Sequence, residues 1–460
     1  MVQYIHKLRV QQQAVRQSLN KESKKIFDYH VEAMKELSRI DKKINGKKDP
    51  KEKYQESKSS PMGNTALYQG DIILTKEEAK LLVDQAKMRL HAKKEGKSEK
   101  EIINKLKKNR AFRKISKHKW KFPIPYYVES EIIKPEIIHK ALKGIEKETC
   151  VKFNKKDKPF SNKQGLRYFK GENCLSFIGP ISNDSVQDIS IGSGCEHYGI
   201  VQHETMHALG MEHEQSRPDR DFYIDINYEN IDPQFKYTYR LTNIHDYAIL
   251  GIPYDYGSLM HYDKYAFSAN GQVTMSTKDP LYADVIGNKD RLQFNDIKLI
   301  NKVHCAGKCE DNGLQCYYGG YPDPKNCTIC KCPSMLAGDR CEKLVDNKKN
   351  DCPKDSKLLA TSKNQAISFK GKKKCIHSIT GEYGKKIKII ILNGKLGSSW
   401  GSCWPGVGFE IKFHKDKTKT GATFCDDVKN KFVISQNSEA FINYNGYEDN
   451  HYISLNYRAV

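Results

Sequence analysis

The cysteines divide this chain of 460 residues before any other feature is read. None of the 14 precedes Cys150, and eleven follow residue 300. Cys305, Cys309, Cys316, Cys327, Cys330, Cys332 and Cys341 crowd into 37 positions that carry almost no aliphatic residues. So dense a set in a loop-rich stretch reads as a disulfide framework, which persists only in an oxidising compartment. Zinc binding through Cys327-x-x-Cys330 and Cys332 is the competing use, and the number of neighbouring cysteines argues against it. Export is therefore expected. Met1-Val2-Gln3-Tyr4-Ile5-His6-Lys7-Leu8 leads into a Gln-rich stretch with no apolar signal-peptide core. The expectation is a chain that lacks its first exon or starts after signal removal.

At roughly 150 residues per domain the length predicts about three domains. Apolar residues make up 38%, charged residues 29%, and the mean hydropathy is −0.72, the range of a soluble globular protein. The longest apolar runs, such as Ile389-Ile390-Ile391-Leu392, fall far short of the ~20 residues of a membrane span, so no transmembrane anchor is expected. The formal net charge is +22, and residues 1–110 carry 27 Lys+Arg against 15 Asp+Glu. No RNP pattern, paired-Cys/His finger or basic heptad region accompanies that charge, which excludes nucleic acid as the expected partner. A solvated basic segment is the plain reading, with heparin-like glycans the partners its charge would suit.

Residues 1–60 read as helical, with one amphipathic helix through Ile26, Val31, Met34, Leu37 and Ile40. Residues 47–61 read as a loop, and 76–108 as a charged helix ending in Lys107-Lys108-Asn109-Arg110. From Trp120 the texture becomes α+β: a strand at 122–128, a helix over 137–149, and short strands near 166–169, 175–178 and 188–191. A helix is expected again at 295–303. Residues 352–460 show short alternating runs and Gly-rich turns, the pattern of an all-β sandwich.

The chemistry concentrates in His203-Glu204-Thr205-Met206-His207-Ala208-Leu209-Gly210-Met211-Glu212-His213. Four residues apart on a helix, His203 and His207 share one face and can hold one metal. Glu204 can reach water activated by that metal. Gly210 lets the chain leave the helix, and His213 then supplies a third nitrogen. Three neutral ligands leave zinc positively charged with an open position, the arrangement of a hydrolytic site. About 50 residues on, Ser258-Leu259-Met260-His261-Tyr262 reads as a Met turn.

With Glu214-Gln215-Ser216-Arg217-Pro218-Asp219-Arg220-Asp221 continuing the motif, the chain resembles the astacin family of zinc metalloendopeptidases over about 111–305. The resemblance implies a metzincin α+β catalytic domain, a zinc helix plus a twisted sheet. It implies one Zn2+ on His203, His207 and His213, Glu204 as general base, and Tyr262 as a switchable extra ligand. Met260 would be the Met-turn residue. Tyr68-Gln69-Gly70-Asp71 is similar to the family's Phe-x-Gly-Asp motif, with Tyr68 in place of Phe, which makes Asp71 the latency ligand. Trp120 stands where the family's early Trp does, so the implied activation cut is Arg110-Ala111, with the Ala111 ammonium then buried against Glu214. The resemblance also implies bridges Cys150–Cys305 and Cys174–Cys195.

The later cysteines resemble an EGF-like set, implied to pair 309–327, 316–330 and 332–341, and the four of a CUB domain, implied as Cys352–Cys375 and Cys403–Cys425. The expected organisation is a basic helical propeptide at 1–110, a catalytic domain at 111–305, an EGF-like module at 306–342 and a CUB-like domain at 352–460, as in secreted nematode astacins. Expected partners are extended polypeptide substrates, lying on a sheet edge near residues 188–193, and proteins or glycans bound by the two modules. Asn183-Asp184-Ser185 and Asn326-Cys327-Thr328 are glycosylation sequons. The alternative is a secreted matrix or interaction protein with an inert protease domain.

Overall fold

The computed structural model of the protein describes residues 2–45, 62–96, 118–233, 235–241, 249–309, 313–347, 351–353, 355–397 and 402–460. The 47–61 loop, the basic cluster at 107–110 and Ala111 lie outside these residues. The chain forms two compact units, residues 1–248 with 264–276, and residues 249–263 with 277–460.

In the first unit the N-terminal helical region holds two helices, and the apolar positions Ile26 to Ile40 all lie on the second. Helix α1 spans Val2–Ser18 and α2 spans Lys21–Asn45. Asn20 separates them because its Oδ1 accepts from the Glu22 and Ser23 amides at 3.0 and 2.9 Å, an N-cap. Helix α2 buries Phe27, His30, Leu37 and Ile40. Helix α3, Lys76–Lys94, starts at a Thr75–Glu78 capping box. It packs on α2 through Leu37, Ile40 and Ala86, with Met34, Leu82 and Leu90 around them.

Six strands make one sheet: β1 (Ile72–Ile73), β2 (Ile124–Val128), β3 (Phe153–Lys155), β4 (Gly165–Phe169), β5 (Cys174–Phe177) and β6 (Val186–Ile191), in the order β1-β5-β6-β4-β2-β3. The β5–β6 pair is antiparallel and the other ladders are parallel. The expectation of a substrate edge near 188–193 is corrected here. β6 is paired on both sides, because β5 folds back along it. β5 is the next strand out, and its outer side is covered only by Ile72–Ile73 of β1, opposite Ser176 and Phe177.

Helix α4 (Pro135–Glu148) turns Ile138, Ala141, Leu142 and Ile145 inward. Helix α5 (Tyr198–Ala208) is buried from Gly199 to its end, its polar residues Gln202, His203, Glu204, Thr205 and His207 included. The two approach closely at Gly144, where a Cβ would lie 2.0 Å from the Tyr198 hydroxyl.

In the second unit, Asp296 of helix α6 (Phe294–His304) accepts from Ser258 Oγ at 2.6 Å and from the Leu259 amide at 3.0 Å. That holds the turn carrying Met260, which is fully buried. Residues 313–347 form two small two-stranded sheets with three bridges, 309–327, 316–330 and 332–341. Residues 357–459 form a five-stranded and a four-stranded sheet. These meet where Phe369 stacks on Tyr444, with ring centroids 5.4 Å apart. Bridges 352–375, 403–425 and, in the first unit, 174–195 complete six of the expected pairs. Cys150 and Cys305 are also disulfide-bonded, and no cysteine is free. Among the described residues no helix is long and apolar enough to cross a membrane.

Candidate metal centre

Helix α5 sets His203 and His207 one turn apart. It ends at Gly210, whose φ of +102° is a conformation a side chain would strain. The chain then doubles back, with the Met211 amide on the Met206 carbonyl at 2.9 Å, and presents His213. The Nε2 atoms of His203 and His207 are 3.1 Å apart, and those of His203 and His213 3.3 Å.

The outer nitrogens explain the inward ones. His207 Nδ1 donates to the Met211 carbonyl at 2.7 Å, and His213 Nδ1 donates to Gln69 Oε1 at 2.7 Å. With those protons directed outward, the Nε2 lone pairs point at a common centre. Burial keeps both rings neutral: it drives the His207 pKa well below its ordinary value and lowers that of His213.

Asp71 completes the group. Its oxygens lie 3.2 Å from His213 Nε2, 3.5 Å from His203 Nε2 and 3.9 Å from His207 Nε2. All four residues are buried, with ligand atoms within 4.8 Å of one another. Burial alone would raise the Asp71 pKa, and positive charge held among the three imidazoles, a proton or a cation, outweighs it and lowers the pKa below the carboxylate range. A tight turn delivers the carboxylate. Tyr68 and Ile72 bridge across it, Gln69 has φ +52°, and Gly70 has φ +87°. A Cβ on Gly70 would sit 2.4 Å from the Met62 carbonyl oxygen, so glycine is required there.

Glu204 lies in α5 between the two helical histidines, fully buried. Burial, reinforced by the charge of Asp71, raises its pKa well above the ordinary value. Both oxygens of Asp71 and both of Glu204 are buried without a hydrogen bond. Such atoms are costly to bury unless a cation or substrate meets them. Three inward imidazole nitrogens and one carboxylate are a four-donor set that fits tetrahedral zinc.

Met260 and Tyr262 belong to the second unit, where His261 Nδ1 donates to the Tyr262 carbonyl at 2.8 Å. Glu214 is buried and accepts from Arg217 Nη1 at 3.3 Å in the uncut chain. Trp120 has a hydrogen-bonding use as well, its indole donating to the Ala208 carbonyl at the end of α5 at 2.7 Å. Gln69 was not anticipated. It accepts from His213 and donates to Ser216 Oγ at 3.0 Å. The only signal for it was its place beside Gly70-Asp71.

A mixed α/β domain built around an HExxH helix with a third histidine defines a metzincin-type zinc peptidase class. Residues 112–305 match the model of the peptidase family Astacin, and the chain belongs to that family. It is similar to the zinc metalloproteinase nas-34 of Caenorhabditis elegans, 33% identical over 395 residues, 85% of this chain and 64% of that protein. The zinc metalloproteinase dpy-31 of Caenorhabditis elegans is 33% identical over 367 residues, 77% of this chain and 59% of that one. Among solved structures it is similar to high choriolytic enzyme 1, a hatching enzyme zinc-protease of the medaka Oryzias latipes. That match is 35% identical with a TM-score of 0.35, over 39% of this chain and 88% of that one. The chain thus spans less than two thirds of the length of these curated relatives.

Proposed function

We propose that the chain is a secreted zinc metalloendopeptidase made as a latent zymogen. Residues 1–110 are the pro-segment, 111–305 the catalytic domain, 306–342 an EGF-like module and 352–460 a CUB-like module. The observation that carries this reading is the convergence of His203, His207, His213 and Asp71 on one buried centre, with Glu204 beside it on α5. Asp71 comes from outside the domain that supplies the histidines, and it takes the position a hydrolytic site must keep open.

Zinc, when bound by the three histidines, supplies a Lewis acid that acidifies water and polarises the scissile carbonyl. Cleavage at Arg110-Ala111 frees the pro-segment to leave and take Asp71 with it, and Glu214 receives the new Ala111 ammonium. An extended substrate then takes the β5 edge that Ile72–Ile73 cover in the uncut chain. Glu204 accepts a proton from the attacking water and returns it to the leaving amine. Tyr262, the switchable ligand that swings away when substrate binds, would then steady the developing oxyanion. Secretion is supported by a chain without a free cysteine. Asn183 and Asn326 are exposed, as glycan acceptors must be.

Glu204→Gln in the cut enzyme tests the assignment. Gelatin cleavage should fall by ~10²–10⁴-fold, the usual worth of a positioned acid–base group. Zinc content by atomic absorption should be unchanged, and 1,10-phenanthroline should silence the wild-type enzyme. A Glu204→Gln enzyme as fast as wild type would remove the general-base role. A cut wild-type chain that binds zinc and cleaves nothing would favour the inert matrix protein.

A further inference from the structure

We propose that the α1–α2 junction is a second anchor of the pro-segment, independent of the metal, through which cleaved pro-segment remains bound to the protease domain and inhibits it. This rests on reading residues 1–110 as a pro-segment.

The receiving surface lies on β4 and β6. Arg167 donates through Nε to Glu129 at 2.7 Å and through Nη1 to Asp188 Oδ1 at 3.0 Å. Its remaining capacity goes to the pro-segment, where Nη1 and Nη2 donate to the Ser18 carbonyl at 3.2 and 3.3 Å. Ser18 is the last residue of α1, so this cation meets the negative end of a helix. Asp188 accepts from the Asn20 side-chain amide at 2.8 Å and from the Asn20 backbone amide at 2.7 Å. The same side-chain amide donates to the Val186 carbonyl at 2.9 Å, while Asn20 Oδ1 caps α2. Every polar atom of the Asn20 side chain is therefore committed.

An apolar contact adjoins this clasp. Val15, Leu19 and Phe27 share one buried cluster with Phe169, Leu175 and Phe177 of the sheet. Hydrogen bonds to charged groups are the strong ones, and here a carboxylate and a guanidinium both point at the incoming segment. None of these residues is among the four that converge on the metal centre. Asp71 and Asn20 lie on one chain, so each raises the effective concentration of the other's anchor. Cutting at 110–111 severs neither anchor. Release of the pro-segment is then a separate step from cleavage.

The test uses the full chain, cut with trypsin and checked for an Ala111 N-terminus. Size exclusion follows the 1–110 fragment, and a fluorogenic peptide reports inhibition as the sample is diluted. Asn20→Ser keeps an N-cap but loses the amide donors. Asn20→Asp keeps the cap and sets a like charge against Asp188. Circular dichroism confirms that α2 still forms in both.

The expected result is a wild-type fragment that co-elutes and inhibits. Binding of the fragment should be ~10-fold weaker or more for Asn20→Ser, and weaker still for Asn20→Asp. The Asp71→Ala fragment should still co-elute. A wild-type fragment that separates at once, or an Asn20→Asp fragment that binds like wild type, overturns the second anchor. An uncut wild-type chain that hydrolyses the peptide as fast as the cut chain freed of its fragment by dilution sinks the pro-segment reading itself.

Discussion

Residues 2–96, within the proposed pro-segment, and the stretch 313–347 are held together by opposite means. Residues 2–96 contain no cysteine. Their order comes from buried apolar clusters, two of which draw on sheet or loop residues of the protease domain. Residues 313–347 bury little beyond Met335, Leu336 and their own cystines, and three bridges bind the stretch. Under the proposed function, the difference follows from what each part would do. A segment meant to leave after one backbone cut can be kept only by contacts that come apart. A module meant to stay can be cross-linked, and one this small needs to be.

Replacing Asp71 strikes the pro-segment at its most consequential contact. Asp71→Ala removes the carboxylate from the three imidazoles and leaves only Ile72–Ile73 on the β5 edge. A loss of about 3 kcal/mol of occlusion would raise the open fraction roughly 100-fold. Peptide hydrolysis by the uncut variant, compared with the uncut wild-type chain, reads this directly. If the variant stays as silent as wild type, latency comes from the apolar contacts and not from the metal-directed turn.

The converse test removes a bridge. Cys316→Ser with Cys330→Ser should cost ~2–5 kcal/mol locally, the usual penalty in a small disulfide-dense domain. Hydrogen exchange across 313–347 should accelerate sharply, while protection of α2 and α3 stays as in wild type. Equal loss of protection in both regions would mean that the pro-segment depends on the cystine framework after all.

The sequence made the metal centre legible because its three imidazoles lie within eleven residues and helical periodicity fixes two of them. The disulfide pairs and Asp71 were legible only through family resemblance. Gln69 with His213, Arg167 with Ser18 and Asn20 with Asp188 are 144, 149 and 168 residues apart. Nothing local in the chain announces such pairs. The break at Asn20 did leave a trace, since Asn is a preferred N-cap and the apolar periodicity begins only after it, at Ile26. The misplaced substrate edge has a similar cause. Strand texture identified β6, whereas its place in the sheet depends on β5 folding back.

The smallest expected effect is also the most specific. His30 sits between α2 and the switch turn, accepting from the Leu74 amide at Nδ1 and bonding the Ala66 carbonyl at Nε2, each at 3.0 Å. Burial pushes its pKa down to about 4 from 6.5. Its stabilising share is therefore present above pH 6.5 and is lost as pH falls through 4. Glu78, which caps α3, has the opposite sign. Burial pushes its pKa up to about 7 from 4.5, so its share is present below pH 4.5 and is lost as pH rises through 7. Between these limits the two slopes oppose each other, each on the order of 1 kcal/mol per pH unit. His30→Gln can keep both hydrogen bonds without titrating. In that variant, the thermal midpoint of the uncut chain, relative to wild type, should fall as pH rises from about 4.5 to 7. Glu78→Gln should show the reverse, a midpoint that falls relative to wild type as pH drops from about 6.5 to 4. Because the non-covalent hold of the pro-segment is what titrates, the same two variants should leave exchange across the cross-linked 313–347 stretch unmoved at every pH. Parallel profiles for the two variants would show that these groups do not govern how firmly the pro-segment sits.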